Sequence, residues 1–326
     1  MQIIETMMKQ KAKELLNAGK VSQVIAWRRG EFFYDNAPAY FRTAEETEDL
    51  SYNAFCGSNL TKYLIANTKK DEKTAVFLKP CDTYSLNQLL KDRRVKREMV
   101  YVIGIPCAGM VDVAKLKAQA GKGLLRAAET EEEILVSTAY GDRAVKRAEV
   151  LLRKCETCKG SAYAVSDETL GEPFTVYRTT ADSFAAVKAI ESLDGAERFA
   201  FWQQELSKCI RCNACRDACP ACSCEQCIFD DPESAVAGKV SNNSAEEQLF
   251  HIIRAYHVAG RCTDCGECGR VCPQGIRLDL LNRKLIKDIN ELYGEYRAGA
   301  DAVTASPLLH FEVNDVEPGS TAKGSE

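Results

Sequence analysis

The chain has 326 residues, of which 45% are hydrophobic and 28% are charged, and its formal net charge is −4. This composition is typical of a globular protein with one large or two smaller domains, and the weakly acidic balance gives no reason to expect nucleic acid as a partner. There is no run of about 18 apolar residues, and the N-terminal sequence lacks the basic start and apolar core of a secretory signal. We therefore expect a cytoplasmic protein without a membrane span.

Residues 1–194 alternate between predicted helices and strands. Hydrophobic periodicity predicts helices over Ile4–Ala18 and Thr83–Leu90. Apolar segments predict three strands: Val21–Trp27, Thr74–Leu78 and Met99–Ile105. This alternation favours an α/β domain with a partly parallel sheet.

Four cysteines lie at the ends of these predicted elements: Cys81, Cys107, Cys155 and Cys158. Cys81 (in KPCD) and Cys107 (in IPCAG) directly follow predicted strands, and the other two form a C-x2-C pair in KCETC. Loops at the carboxyl ends of parallel strands commonly build sites, and four thiols are a full ligand set for a 4Fe–4S cluster. A zinc site, or burial of Cys81 and Cys107 as small hydrophobic side chains, remains an alternative.

Strand signals are absent from residues 195–297, which are predicted to be helical. One helix is predicted to start at Ser244, and its apolar face is expected to comprise Leu249, Ile252, Ile253 and Tyr256. A longer helix carries apolar residues at three- and four-residue steps: Leu278, Leu281, Leu285, Ile289, Leu292 and Tyr296. Residues 298–326 are predicted to be a flexible tail.

The strongest pattern in the helical region is a repeated run of cysteines followed by proline. CIRCNACRDACP and CTDCGECGRVCP both match C-x2-C-x2-C-x3-C-P, which is typical of 4Fe–4S ferredoxins, and the second run starts 53 residues after the first (209 to 262). The fourth cysteine of each run binds the other cluster in two-cluster ferredoxins. This predicts one cluster bound by Cys209, Cys212, Cys215 and Cys272. It predicts a second cluster bound by Cys262, Cys265, Cys268 and Cys219.

A pair of zinc sites is the alternative for these two runs, although zinc prefers two separated cysteine pairs. Nearby positive charge is expected to raise the potentials of the clusters. Five basic residues in or beside the runs are candidates for this effect: Lys208, Arg211, Arg216, Arg261 and Arg270.

The last four of the sixteen cysteines are Cys56, Cys222, Cys224 and Cys227. The last three stand in CPACSCEQC, which is dense enough to bind a metal, and Cys56 is the remaining thiol that would complete a set of four. A fourth metal site is therefore a hypothesis, and it predicts about sixteen irons per chain instead of eight or twelve.

Three motifs give the chain a resemblance to a known family. KPCD, IPCAG and KCETC, in this order, resemble the β-subunit family of deazaflavin-coenzyme-dependent hydrogenases and formate dehydrogenases. KPCD is also similar to a motif of the A subunit of anaerobic sulfite reductase, and the two ferredoxin runs resemble an α-helical ferredoxin arrangement. The resemblance implies an α/β N-terminal domain followed by an α-helical dicluster ferredoxin domain. It also implies that Cys81, Cys107, Cys155 and Cys158 bind a third 4Fe–4S cluster.

The resemblance implies an iron–sulfur electron-transfer subunit of a multi-subunit anaerobic oxidoreductase, of the formate dehydrogenase, hydrogenase or heterodisulfide reductase type. Its partners would be a catalytic dehydrogenase or hydrogenase subunit and a flavoprotein or heterodisulfide-reductase-like subunit. No dinucleotide fingerprint and no nucleophile–base set stands out, so no catalytic residue is predicted. The alternatives are an FAD-containing subunit that itself reduces or oxidises a deazaflavin-type coenzyme, and a non-catalytic iron–sulfur sensor or scaffold.

Overall fold

The structure is a computed structural model of the full chain, and it describes residues 1–68, 72–130, 132–174, 182–231, 233 and 244–309. The predicted tail therefore lies largely outside the described residues. Among the residues that are described, no helix is long and apolar enough to cross a lipid bilayer.

The N-terminal region is built on a mixed six-stranded sheet. Its strands are β1 Gln23–Arg29, β2 Asn36–Phe41, β3 Leu50–Ser51, β4 Thr74–Leu78, β5 Val100–Gly104 and β9 Glu168–Thr169. The strand order is β2-β1-β4-β5-β9, and β3 pairs with β1. Strands β1, β4, β5 and β9 run parallel, whereas β2 and β3 are antiparallel to β1. The predicted partly parallel sheet is confirmed.

The helices of this region cover the sheet and set the direction of its loops. They are α1 Gln2–Asn17, α2 Leu64–Thr68, α3 Pro80–Lys91, α4 Val113–Ala120, α5 Arg153–Glu156 and α6 Ala185–Glu191. Every residue of β4 is buried, as expected of a parallel strand covered on both faces. Helix α1 buries one apolar face against the sheet, comprising Ile4, Met8, Ala12 and Leu15.

A second, three-stranded antiparallel sheet follows α4 and was missed by the sequence analysis. Its strands are β6 Leu124–Glu129, β7 Glu133–Thr138 and β8 Gly141–Lys146. Ile134 and Val136 of β7 point into a small separate core with Val145 of β8, while Leu135 between them is 42% exposed. This alternation is what a half-buried strand requires.

From residue 195 to 309 the described residues contain helices and no strand. The α-helices are α7 Gly195–Leu206, α8 Ala214–Asp217, α9 Ser244–His257, α10 Glu267–Arg270 and α11 Leu278–Tyr293. A reciprocal pair of hydrogen bonds between Asp194 and Glu197 caps the start of α7. The predicted α/β region followed by a helical region is confirmed.

The apolar face that was predicted for α9 is wrong for three of its four residues. Leu249, Ile252 and Tyr256 are 43%, 41% and 66% exposed, whereas Ile253 is partly buried and packs against the core of the helical region. The buried side of the helix instead carries Phe250 together with three polar residues: Glu247, His251 and Arg254. The helix turns this polar side inward because it faces the cysteine loops described below.

The two regions are joined by polar contacts with α3 and with Asp92, the residue that follows it. The Arg261 guanidinium lies 2.7 Å from Asp92 Oδ2, and the hydroxyls of Ser85 and Thr263 are 2.8 Å apart. Gly299 has φ +73° and approaches α3 so closely that an added Cβ would lie 1.9 Å from the Tyr84 carbonyl oxygen. This contact therefore requires glycine on both steric and conformational grounds.

Candidate metal centres

The two cysteine runs share one backbone conformation. In the first run Arg211 and Asn213 have positive φ angles of 52° and 62°, and in the second run Asp264 and Gly266 have 53° and 69°. A one-turn helix follows in each case, α8 or α10. Because residues other than glycine seldom adopt positive φ, this common loop must be imposed by what it encloses. The repeat is therefore structural as well as chemical.

The first predicted quartet lines one small cavity. Its four cysteines all border this cavity: Cys209, Cys212, Cys215 and Cys272. The last belongs to the second run, yet its charge acts on the Cys215 thiol, as does that of Cys212. The Arg211 N–H donates to Cys209 Sγ at 3.3 Å. The structure thus brings the fourth cysteine of the second run to the loop of the first.

The second predicted quartet shows the converse exchange. Cys219, the last cysteine of the first run, acts electrostatically on the thiols of the second run: Cys262, Cys265 and Cys268. Cys219, Cys265 and Cys268 are buried. Burial raises the pKa of Cys262 to about 12, and it raises that of Cys209 in the first quartet to about 12 as well. Such thiols lose their protons only to a bound cation, which iron would supply.

The spacing of the sulfurs discriminates between iron–sulfur clusters and single metal ions. Four thiolates on one tetrahedral zinc ion, at about 2.3 Å from it, are about 3.8 Å apart. Among the described residues, just one group of three or more ligand atoms lies within 4.8 Å of one another, and it contains a single cysteine: Cys209, Glu247 and His251. No quartet of described cysteines is therefore drawn together as tightly as a single zinc ion requires, whereas a cuboidal cluster spreads its ligands over separate corners.

The third quartet converges at the carboxyl edge of the parallel sheet. Cys81 lies in the first turn of α3 after β4, and Cys107 lies in the loop after β5. The charges of Cys155 and Cys158 act on the Cys107 thiol, and the charge of Cys107 acts on the Cys81 thiol. The four thiols are therefore neighbours. Burial raises the pKa of Cys107 to about 12. Backbone N–H groups of Met110 and Gly160 donate to Cys155 Sγ and Cys158 Sγ at 3.4 and 3.5 Å.

A buried ion pair stands beside the third quartet. Lys79 and Asp82 flank Cys81 in the chain, are both fully buried, and their Nζ and Oδ2 atoms are 2.8 Å apart. Lys79 Nζ also donates to the carbonyls of Cys56 and Ser58 at 3.1 and 2.8 Å and lies 4.2 Å from the centre of the Trp27 ring. Nothing in the hydrophobic pattern of KPCD indicated that its lysine is buried.

A second buried pair links the third quartet to the second. Lys154, next to Cys155, places its Nζ 3.1 Å from Glu267 Oε1, and Glu267 precedes Cys268. Burial raises the pKa of Glu267, but the Lys154 ammonium and the Arg270 guanidinium outweigh this effect and lower it to about 2. The two cysteine loops are therefore adjacent and held by a charged pair.

The hypothetical fourth set is not brought together as a set of four. Cys222, Cys224 and Cys227 line one cavity, and Cys56 does not. The Cys56 thiol is fully buried in the core of the α/β region, where it lies 3.6 Å from the Ser51 carbonyl oxygen. Burial raises its pKa to about 12.

Helix α9 supplies the functional residues that the sequence analysis missed. Arg254 is 2% exposed, and among the described residues its guanidinium has no carboxylate partner. Its charge acts on thiols from both runs, Cys268, Cys215 and Cys219, and also on Cys222, which lies outside them. His251 lies about one turn earlier on the same helix. Burial and the neighbouring guanidinium groups of Arg254 and Arg211 lower its pKa to about 3, so its imidazole is neutral.

The five basic residues that were expected to act on the clusters each have a carboxylate partner. The partners are Glu205 for Lys208, Glu247 for Arg211, Asp217 and Asp230 for Arg216, Asp92 for Arg261, and Glu267 for Arg270. These pairs cancel much of the positive charge. Arg254 is the buried cation whose field is left for the cysteines, and only the unusual position of an arginine on the inner side of a helix would have indicated it.

A cleft of about 520 Å³ opens between the α/β region and the helical region. Tyr34 and Phe55 contribute aromatic rings to it, and Lys154 and Arg270 contribute positive charge. Cys272 lines both this cleft and the cavity of the first quartet. A molecule bound in the cleft would therefore lie next to a candidate cluster.

Comparison with known proteins bears on the helical region first. Residues 205–276 match the model of a 4Fe-4S dicluster domain. This part of the chain is a 4Fe–4S dicluster domain. The match contains all eight cysteines of the two runs, from Cys209 to Cys272.

Two curated relatives span most of the chain. The F420-dependent formate dehydrogenase subunit beta of Methanocaldococcus jannaschii is 25% identical, over 92% of this chain and 93% of that protein. The F420-dependent formate dehydrogenase 1 subunit beta of Methanococcus maripaludis is 25% identical, over 67% of this chain and 72% of that protein. The predicted resemblance to β subunits of deazaflavin-dependent formate dehydrogenases is confirmed.

A solved structure shows a weaker likeness. A chain of the xenon-derivatized F420-reducing [NiFe] hydrogenase complex from Methanosarcina barkeri matches 60% of this chain and 83% of its own length, with 14% identity and a TM-score of 0.39. A likeness at this level supports no argument about function.

Proposed function

We propose that this chain is the iron–sulfur electron-transfer subunit of a multi-subunit oxidoreductase, and that it relays single electrons through 4Fe–4S clusters. The observation that carries the proposal is the exchange of the fourth cysteine between the two runs of the dicluster domain. This exchange holds two clusters close together, which suits a relay of electrons.

Three clusters would form a linear path. Their proposed ligands are the three cysteine quartets described above, which contain Cys209 (first), Cys262 (second) and Cys81 (third). The Lys154–Glu267 pair joins the third loop to the second, and Arg254 lies between the second and the first. Cys212 of the first quartet is exposed, whereas the second quartet has no exposed cysteine. The first cluster therefore forms the end of the path nearest to the protein surface.

The proposed partners are supported by the names of the relatives and by the sequence, in which no catalytic constellation stands out. Both relatives are named as subunits of formate dehydrogenases. We place this chain in a cytoplasmic complex of the same kind, between a catalytic dehydrogenase or hydrogenase subunit and a flavoprotein or heterodisulfide-reductase-like subunit.

The test is metal analysis and low-temperature EPR of the anaerobically purified chain. At least about twelve irons and twelve sulfides per chain are expected, with signals that appear on reduction. Cys272→Ser, Cys219→Ser and Cys81→Ser should each lose about four irons, and Cys56→Ser should lose none. Protein without iron and without an EPR signal after reduction would overturn the proposal.

A second candidate function is supported by the cleft next to Cys272. In this reading an FAD molecule occupies the cleft and exchanges electrons with a deazaflavin-type coenzyme on one side and the first cluster on the other. The volume of the cleft, about 520 Å³, is within the usual range of small-molecule sites. Release of about one flavin per chain on acid denaturation would favour this reading, and flavin-free protein that still holds its clusters would rule it out.

A further inference from the structure

A second cavity, of about 290 Å³, lies beside the second quartet and has no role in the path described so far. Three cysteines that belong to none of the three quartets line it: Cys222, Cys224 and Cys227. It adjoins the second cluster site directly, because the thiols of Cys219 and Cys222 interact. Three thiols that converge on one cavity are a concentration of soft metal ligands.

We infer that this cavity holds an additional iron–sulfur cluster bound by Cys222, Cys224 and Cys227, with a ligand other than cysteine on its fourth iron. The inference rests on the proposed function, since the same loading with iron and sulfide would fill the three quartets and this cavity. It differs from the set of four that the sequence suggests, because Cys56 is excluded.

The charges around the cavity favour an anionic occupant. Its lining contains four cationic side chains, Lys62, Arg216, Arg254 and Arg261, against three carboxylates, Asp217, Glu225 and Asp230. Arg216 is neutralised by Asp217 and Asp230, Arg261 by Asp92, and Lys62 donates to the Cys222 carbonyl.

Arg254 is left without such a partner. A guanidinium that is 2% exposed, and that interacts with the Cys222 thiol but with no carboxylate of the described residues, is costly to bury unless an anion is bound next to it. The sulfides and thiolates of iron–sulfur clusters supply negative charge on both sides of this residue, in the dicluster domain and in the cavity.

The geometry argues against a single metal ion in the cavity. Within the described part of the chain, the three thiols do not all lie within 4.8 Å of one another, whereas a tetrahedral zinc site needs about 3.8 Å between each pair. A cuboidal core, with its corners further apart, can reach all three. Cys224 is exposed, so the cluster would have one edge at the surface.

The fourth iron cannot take Cys56, whose thiol is enclosed in the core of the α/β region. His257 lines the cavity and is the one imidazole there. We assign the fourth corner to His257 or to a solvent-derived ligand, and the two are distinguished by the test below.

The test compares iron and sulfide content, zinc content and EPR spectra of anaerobically prepared full-length variants. Cys224→Ser and Cys227→Ser are expected to lose about four irons per chain relative to the wild type, while they retain the signals of the other clusters. Cys56→Ser is the matched control and should retain all iron. His257→Ala should change the EPR signal of this cluster if the imidazole is bound to it, and should leave the signal unchanged if the ligand is solvent.

Cys224 is the safer position, because its exposed side chain tolerates serine without disturbing the fold. Iron contents of Cys224→Ser and Cys227→Ser equal to that of the wild type, or zinc at one ion per chain that is lost in these variants, would overturn the inference. Iron-free wild-type protein would instead overturn the proposed function itself, so the two failures are distinguishable.

Discussion

At the scale of single residues, Arg254 is the group whose position says most about the site. Reduction of a cluster adds negative charge, and a buried cation beside the cluster makes that addition more favourable. Arg254 acts on thiols of both runs and is not neutralised by a carboxylate in the described residues. It is therefore expected to raise the potentials of both clusters of the dicluster domain.

Replacing Arg254 with glutamine should lower the potentials of these two clusters by on the order of tens of millivolts, where about 59 mV corresponds to a tenfold change for one electron. EPR-monitored potentiometric titration measures the shift. Arg254→Lys keeps the charge and should restore most of it, and Arg143→Gln on exposed β8 is the control. Unchanged potentials in Arg254→Gln with intact iron content would contradict the role assigned to this side chain.

The Lys79–Asp82 pair is a second residue-scale feature with a measurable consequence. Lys79→Met leaves the fully buried Asp82 carboxylate without its cation, which should cost about 3–5 kcal/mol of unfolding free energy. Lys79→Met/Asp82→Asn removes both charges and should recover part of the loss. Anaerobic urea denaturation of the cluster-loaded chain compares the two. Equal losses in the single and double variants would show that the pair itself is not what stabilises this position.

At the scale of secondary structure elements, prediction from the sequence is accurate where one physical effect dominates. Strand β4 is predicted at Thr74–Leu78 with its observed bounds, because a short and mostly apolar run between turns has few alternatives. Helix α1 is predicted at Ile4–Ala18 and observed at Gln2–Asn17, because its apolar residues follow a helical period.

The same reasoning failed for two other elements, and each failure has a cause. Segment LLRAAE of β6 consists largely of good helix formers, and pairing with β7 overrides that preference. The inner face of α9 carries Glu247, His251 and Arg254, because cysteine loops rather than apolar side chains cover it. A hydrophobic pattern cannot reveal which helix faces a metal site.

A pair of substitutions in β7 tests the alternation of this strand. Ile134→Ala opens a cavity in the small core under the second sheet and should cost about 2–5 kcal/mol of unfolding free energy. Leu135→Ala, one residue further and 42% exposed, should cost far less. The denaturation midpoints of the two variants are compared. Similar losses of stability at both positions would contradict the assigned alternation of buried and exposed side chains in β7.

At the scale of the whole molecule, the proposed ligand sets differ in the sequence signal that supports them. The exchange between the two runs is a prediction of the motif itself. The third quartet stays a prediction from the order of strands and loops and from the family resemblance. Cys56 was grouped with Cys222, Cys224 and Cys227 by counting alone, and the structure separates it from them because it packs in the other region.

The close contact between Gly299 and α3 joins the two regions, and substitutions at a matched pair of glycines test its importance for stability. Gly299→Ala combines a positive φ with a Cβ 1.9 Å from the Tyr84 carbonyl, whereas Gly294→Ala has φ +86° and no neighbour within 4 Å. The first substitution should destabilise the chain by about 1–3 kcal/mol more than the second, since it adds overpacking to the same conformational cost. Thermal unfolding under anaerobic conditions measures the difference. Equal unfolding temperatures of the two variants would show that the contact between Gly299 and α3 can adjust to a Cβ.

The exposed thiol of Cys212 has a consequence beyond contact with partners. A cluster edge that is open to electron exchange is also open to dioxygen, so exposure to air should degrade the proposed first cluster well before the enclosed second one. Damaged chains would then keep their inner iron but lose the surface end of the proposed path. A partner subunit that covered this edge would protect it from dioxygen.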